Sequence, residues 1–150
     1  MTELLQRDEQ LTGADVARPV NQFFAAINHG DVAAAVALIE PGALHHGRVS
    51  NYRPDGVRVL FNMLREVFPD LQLAVREQRV EGRRVVSRIV ATATHTGSFL
   101  GKPPTGRPLA WQSVDIAEIG ERGTIVNRFW DVWGDPTLWR EIGFTPALMC

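Results

Sequence analysis

Hydrophobic residues recur at helical spacing through the first half of the chain. From Asp15 onward, apolar side chains return every three or four positions as far as His29, which predicts an amphipathic helix. Asp31 then has the character of an N-cap, and the apolar positions after it predict a second helix that Pro41 ends. A third helix is predicted from the stretch RPDG to Pro69. The first half of the chain is therefore predicted to be mainly helical.

The second half alternates between apolar and polar residues instead. Four segments, LQLAVREQRVEG, RRVVSRIVATATHTG, PLAWQSVDIAEIG and GTIVNRFWDVWG, are rich in β-forming residues and are separated by turns with Gly or Pro. They predict four strands, and the earlier stretch GALHHGRVSNYR predicts a short strand and a loop. A closing helix is expected with Asp135 as its N-cap, Pro136 in its first position and Gly143 at its end. Helices followed by an antiparallel meander predict an α+β fold, with a curved, mainly antiparallel sheet over three N-terminal helices.

Length and composition limit the classes of function. The 150 residues fit a loose arm over residues 1–14 and one domain over residues 15–150. A net charge of −1 without a basic block argues against nucleic acid binding. A polar N-terminal stretch and the lack of a long apolar run predict a cytoplasmic protein with no membrane segment. No phosphate-binding loop or paired-cysteine motif suggests a cofactor or a metal.

An aspartate lies within the most apolar of the predicted strands. Asp131 is surrounded by bulky apolar and aromatic residues, where a carboxylate costs free energy unless it is paired or protonated. It is therefore either a strand end that faces water or part of a functional site. Strict alternation places Ile125, Asn127, Phe129, Asp131 and Trp133 on one face of the sheet and Val126, Arg128, Trp130 and Val132 on the other.

Three stretches of the sequence resemble one family. ATATHTGSFLGKPPTGRPLAWQSVDIAEI, IVNRFWDVWG and, near the start, FFAAINHGDVAAAVALIEPGALHHG are similar to the SnoaL-like polyketide cyclases and ester cyclases, in the nuclear-transport-factor-two-like superfamily. The resemblance implies a cone-shaped α+β barrel around a small-molecule pocket, with no metal and no organic cofactor. It also implies that Asp131 is the general acid/base of an intramolecular aldol closure of an aromatic polyketide.

Two other functions remain open at this point. Phe129 stands where members of the family commonly carry His, so a second titratable group is missing from the last strand. The family also contains proteins that take part in hydroxylating an anthracycline-type ring without metal or bound flavin, and such a reaction would call for a separate reductase. The alternative from a different class is a non-catalytic ligand-binding or dimerisation domain, because the fold alone does not prove catalysis.

Further candidates for proton transfer lie on other elements. Asp115 would share a pocket with Asp131 if the GERG connection acted as a three-residue loop or included a bulge, and their repulsion would then hold one of them protonated. Arg88 interrupts an otherwise apolar strand, either as a structural ion pair or as a partner for a carboxylate or an oxyanion. His45 and His46 are expected at the mouth of the pocket, and since adjacent strand residues face opposite ways, at most one of them points inward.

Large aromatic and polar side chains are the candidates for substrate contact, since flat aromatic faces suit stacking on a polycyclic ring. They are Trp111, Trp133, Phe129, His45, Asn62, Phe23 and Phe61. The outer face of the sheet is expected to be apolar and to form a homodimer. The residues predicted on that face are Arg128, Trp130, Val132, Val86, Val90 and Ile116.

Overall fold

A computed structural model describes residues 12–47, 51–131 and 135–144. Its helices are α1 (Gly13–Asn28), α2 (Val32–Val36), α3 (Pro54–Val67) and α4 (Pro136–Ile142). Its strands are β1 (Ile39–His46), β2 (Asn51–Tyr52), β3 (Gln72–Glu81), β4 (Arg84–Thr94), β5 (Pro108–Ile119) and β6 (Ile125–Trp130). None of the helices in these ranges has the length and apolar character needed to cross a membrane.

Local capping explains where the helices begin and end. Thr12 and Asp15 form a capping box, so α1 starts at Gly13 and the last residues of the predicted arm belong to the cap and first turn of this helix. Residues 1–11 of the predicted arm lie outside the described residues. Asp31 and Asp135 cap α2 and α4 as predicted, and Gly143 ends α4 in the left-handed region at a φ of 113°.

The second helix is shorter than its hydrophobic pattern predicts. It ends at Val36, and Ile39 begins β1 instead of continuing the helix to Pro41. The reason is tertiary, because Ile39 pairs with Ile125 of β6, so the sheet takes residues whose spacing also suits a helix.

The six strands form one sheet in the order β2-β1-β6-β5-β4-β3. Only β1 and β6 run parallel among these neighbours; the other pairs are antiparallel. The sheet is curved and does not close, and the N-terminal helices cover one of its faces. The predicted α+β fold is therefore confirmed. Below, the face toward the helices is the inner face and the opposite one is the outer face.

A bulge in β6 changes which of its side chains face inward. Asn127 pairs with Glu118 while Ile125 pairs with Ile119, so β6 carries one extra residue at this point. Side chains after the bulge are reversed relative to strict alternation. Arg128 and Trp130 are buried on the inner face, whereas Phe129 is 41% exposed on the outer face. The predicted face assignment of β6 is thus wrong beyond Asn127.

Candidate functional site

Three neighbouring strands place a polar side chain each on the inner face of the sheet. His45 of β1 is the register partner of Arg128 of β6, and Asp115 lies on β5, which is next to β6 in the sheet. Their exposed fractions are 4%, 2% and 0%, respectively. Charged side chains are rarely buried to this degree unless they are paired, so this row of three is the first candidate for a site.

Arg128 and Asp115 form a buried ion pair. The Arg128 Nε donates a hydrogen bond to Oδ1 of Asp115, and the guanidinium lies 3.9 Å from the centre of the Phe23 ring and 4.8 Å from that of Trp130. The aromatic faces therefore hold the cation by cation–π contact as well as by charge.

The polar groups of this row are only partly satisfied. Oδ2 of Asp115, both Nη atoms of Arg128 and Nδ1 of His45 have no hydrogen-bond partner among the described residues. Buried polar atoms are normally paired, and a buried ion pair seldom adds stability, so the arrangement is costly for the fold alone. The unused donors and acceptors are those that a bound molecule with oxygen atoms would need.

Burial sets the protonation of these groups. Burial raises the pKa of Asp115 above its ordinary value, while the charge and hydrogen bond of Arg128 oppose that rise. The pKa of His45 is lowered to about 3, first by burial and then by the charges of Arg128 and His46. At neutral pH, His45 is therefore an uncharged imidazole that can donate one hydrogen bond and accept another.

Aromatic rings surround the ion pair. Phe61 stacks on Trp130 with ring centres 5.2 Å apart, and Phe23 meets Phe61 edge-on at 5.6 Å. The Trp130 indole N–H donates to Ser113 on β5 at 3.0 Å. Phe23 and Phe61, both predicted from sequence as substrate contacts, therefore lie beside the polar row.

Asp131 lies elsewhere. It lines a groove of about 400 Å³ together with Arg88, Val114, Phe129 and other residues, most of them exposed on the outer face. The Asp131 backbone N–H donates to the Val114 carbonyl at 3.4 Å, just beyond the end of β6. Asp115 faces inward as the register partner of Trp130, whereas Asp131 lines the outer groove, so the described residues do not place the two carboxylates in one pocket.

The remaining predicted site residues are spread over the molecule. Arg88 is exposed and lies 3.6 Å from Glu77, as expected of a surface ion pair. His46 is half-buried and adjacent to the inward His45, and Asn62 is exposed on α3. Trp111 is buried on the same inner row as Asp115. Trp133 lies outside the described residues.

Arg128 is the functional candidate that the sequence analysis missed. Strict alternation predicts Arg128 on the outer face, whereas the bulge in β6 turns it inward. A signal was present, because Arg128 interrupts the apolar segment just as Asp131 does. Arg128 and Asp115 lie on neighbouring apolar strands and carry opposite charges, and such a pair is buried together more readily than either charge alone.

Within the described ranges, no three His, Cys, Asp or Glu side chains are grouped closely enough to bind a metal ion.

A family model and several solved structures match most of this chain. A family model described as SnoaL-like polyketide cyclase matches residues 17–142. AclR, a candidate hydroxylase from Streptomyces galilaeus, superimposes with a TM-score of 0.82 at 27% identity, covering 90% of this chain and 100% of its own. IdmH, a candidate polyketide cyclase from Streptomyces antibioticus, gives a TM-score of 0.70 at 26% identity, covering 77% of this chain and 89% of its own. TsrD from Streptomyces laurentii gives a TM-score of 0.76 at 25% identity, covering 91% of this chain and 100% of its own. A comparison with curated proteins gave no match.

Proposed function

The chain belongs to the SnoaL-like polyketide cyclase family, and we propose that it closes a ring of an aromatic polyketide by acid/base chemistry at the buried row of His45, Arg128 and Asp115. The observation that carries this proposal is the ion pair whose remaining polar atoms have no partner among the described residues. The proposal moves the acid/base role that the family resemblance gave to Asp131 onto a different carboxylate.

The chemistry of an aldol closure matches the three side chains. Asp115 accepts the proton of an acidic C–H group, for which a carboxylate with a raised pKa is better suited than an ordinary one. The Nη atoms of Arg128 hold the enolate oxygen that forms. The enolate carbon attacks a carbonyl carbon to make the new C–C bond, and the resulting alkoxide takes up a proton.

His45 supplies a polar group that β6 itself lacks. Phe129 occupies the position where family members commonly carry His, but His45 reaches the inner face from β1, beside Arg128. A neutral imidazole at this place can donate a hydrogen bond to the carbonyl that becomes the alkoxide. The Phe129 substitution therefore does not by itself argue against ring closure.

Hydroxylation of a polyketide ring is the second candidate. It is favoured by the likeness to AclR, which extends over nearly the whole chain. In this version Asp115 deprotonates a phenol or hydroquinone, and Arg128 holds the phenolate. One oxygen atom of O₂ enters the ring as a hydroxyl group and the other leaves as water, with two electrons from a separate reductase and two protons from the solvent.

Product analysis distinguishes the two reactions. We expect incubation with uncyclised polyketide esters to give products of unchanged elemental composition and one additional ring. High-resolution mass spectrometry measures the composition, and NMR spectroscopy identifies the ring. Anthraquinone-type intermediates with O₂ and a reductase are the parallel experiment. A mass gain of one oxygen there, without any ring closure, would replace the first reaction by the second. Inactivity toward both substrate classes would favour a non-catalytic binding domain.

We also propose that the outer face of the sheet forms a homodimer. Val86, Val114, Val126 and Phe129 are exposed on three neighbouring strands. Ion pairs between Arg84 and Glu118 and between Arg88 and Glu77 flank them. An apolar patch with charges of both signs around it is suited to contact with a second copy of itself. Arg128 and Trp130, predicted for this contact, are buried inside instead because of the bulge.

If the outer face forms the dimer, substitution of Phe129 and of the neighbouring Trp130 should have different effects. Phe129→Glu is expected to convert the dimer to a folded monomer, since it would bury an unpaired charge at the contact. Trp130→Glu is expected to unfold the protein, since Trp130 is 2% exposed and stacked on Phe61. Light scattering and circular dichroism measure both effects, and Val59→Glu on the exposed side of α3 is the matched control. A wild-type monomer at micromolar concentration would refute the interface.

A further inference from the structure

A second pair of buried polar groups lies on the inner face, away from the ion pair. His95, just after β4, and Trp111, on β5, are both almost completely buried. Each ring lies beside Phe68, at centre-to-centre distances of 6.0 Å for His95 and 5.4 Å for Trp111. The two side chains therefore share one aromatic environment, His95 just after β4 and Trp111 on the neighbouring strand β5.

Both groups present a hydrogen-bond donor. The Thr105 backbone N–H donates to Nδ1 of His95 at 3.2 Å, so Nδ1 is an acceptor and the ring hydrogen is on Nε2. The Trp111 indole nitrogen can only donate. Neither Nε2 of His95 nor Nε1 of Trp111 has a partner among the described residues. Buried N–H groups of this kind are normally paired with an acceptor.

The loop after β4 fixes His95 in this position. The His95 backbone exchanges hydrogen bonds with Gly106 and Arg107 at 2.9 and 3.0 Å. At Gly97 the same loop passes so close to the end of α3 that a Cβ atom would lie 2.6 Å from the Glu66 carbonyl oxygen. The position of the Nε2 donor is thus set by backbone contacts on both sides.

The spacing along β5 relates these donors to the ion pair. Trp111 and Asp115 are four residues apart on the same face, which corresponds to about 13 Å along a strand. Ser113 lies between them and accepts the Trp130 indole hydrogen bond. The inner face therefore has a charged polar end at Asp115 and an uncharged, donor-only end at Trp111.

We propose that His95 and Trp111 form a distal subsite that binds a neutral carbonyl oxygen at the far end of an extended fused-ring substrate. This inference rests on the proposed function, in which Arg128 and Asp115 hold the ionisable oxygen at the other end. Two uncharged donors suit a ketone or quinone oxygen better than a carboxylate, which would call for a cation. The subsite fixes which end of the substrate meets the base, and so determines the position of the reaction.

A matched pair of ligands tests the subsite. One is an anthraquinone with a single hydroxyl group at one end, and the other carries in addition an acetyl group at the opposite end. We expect calorimetry to show that the acetyl compound binds wild-type protein about tenfold more tightly, because its carbonyl satisfies a buried donor. Trp111→Phe should remove this difference while preserving the aromatic ring. Trp139→Phe, the same change on α4, should retain it.

A second variant covers the case in which Trp111→Phe does not fold. His95→Asn keeps an acceptor for the Thr105 N–H but removes the Nε2 donor, and it should also abolish the preference for the acetyl compound. Equal binding of both compounds to the wild type, or a preference that persists in both variants, would overturn the distal subsite alone. Failure of the wild type to bind either compound would overturn the interior site as well. Arg128→Met should weaken both compounds by a similar factor and leave their ratio unchanged.

Discussion

Asp115→Asn is expected to lower turnover by at least about a hundredfold, the scale typical of a lost general base. The amide keeps the shape of the side chain and an oxygen that can accept from Arg128, but it cannot take up the substrate proton. The measurement is kcat on protein shown by circular dichroism to be folded at the assay temperature. Folding has to be verified because the variant leaves the Arg128 cation without its counter-charge.

Asp131→Asn is the matched control for that experiment. It makes the same carboxylate-to-amide change at the half-buried Asp131 of the outer groove, and we expect turnover to stay within about threefold of wild type, as for a substitution away from the reacting atoms. A hundredfold loss in Asp131→Asn, with near-normal turnover in Asp115→Asn, would return the role of base to Asp131. The reaction would then be assigned to the groove that contains Arg88 and Phe129.

The pH dependence of turnover gives an independent readout of the same proposal. The base must be ionised to act, so activity falls as the pH decreases through its pKa. Because burial raises the pKa of Asp115, the acidic limb of the kcat profile is expected above the range of an ordinary aspartate. Protonation of His45 should not contribute to that limb, since its pKa of about 3 lies below it.

Replacing the whole ion pair is expected to separate stability from activity. Arg128→Met alone leaves a buried carboxylate without a partner, and such a loss costs about 3–5 kcal/mol of unfolding free energy. Arg128→Met combined with Asp115→Leu removes both charges and adds apolar contact with Phe23. We expect the double variant to be at least as stable as the wild type and to be inactive.

Chemical denaturation and turnover measured on the same three proteins check this prediction. A double variant that is several kcal/mol less stable than wild type would mean that the ion pair serves the fold and that its unsatisfied atoms do not mark a binding site. A stable double variant with full activity would place the chemistry elsewhere. We expect the double variant to be stable but inactive. This result is typical of a functional site that is retained at the expense of stability.

Sequence alone is sufficient for the elements whose signals are local. The capping residues Asp31 and Asp135, the helical spacing before Pro69 and the alternation of β5 all lead to the observed elements. The alternation of β5 also places Trp111 and Asp115 on one face, and the structure buries that face; β5 pairs with β4 without a bulge, so its alternation is not interrupted. The family resemblance, carried by three stretches of sequence, is confirmed by a model that matches residues 17–142.

The candidate site was decided by tertiary pairing. A single extra residue in β6 turns Arg128 inward and Phe129 outward, and nothing in the local sequence of Ile125–Trp130 specifies it. His45 reaches the site only because β1 lies parallel to β6, a contact between segments some 80 residues apart in the chain. Residue type thus determines which side chains are candidates for chemistry, whereas the register between distant strands determines which of these candidates are buried together. That register is set by the packing of the whole sheet on its helices, which a local pattern does not contain.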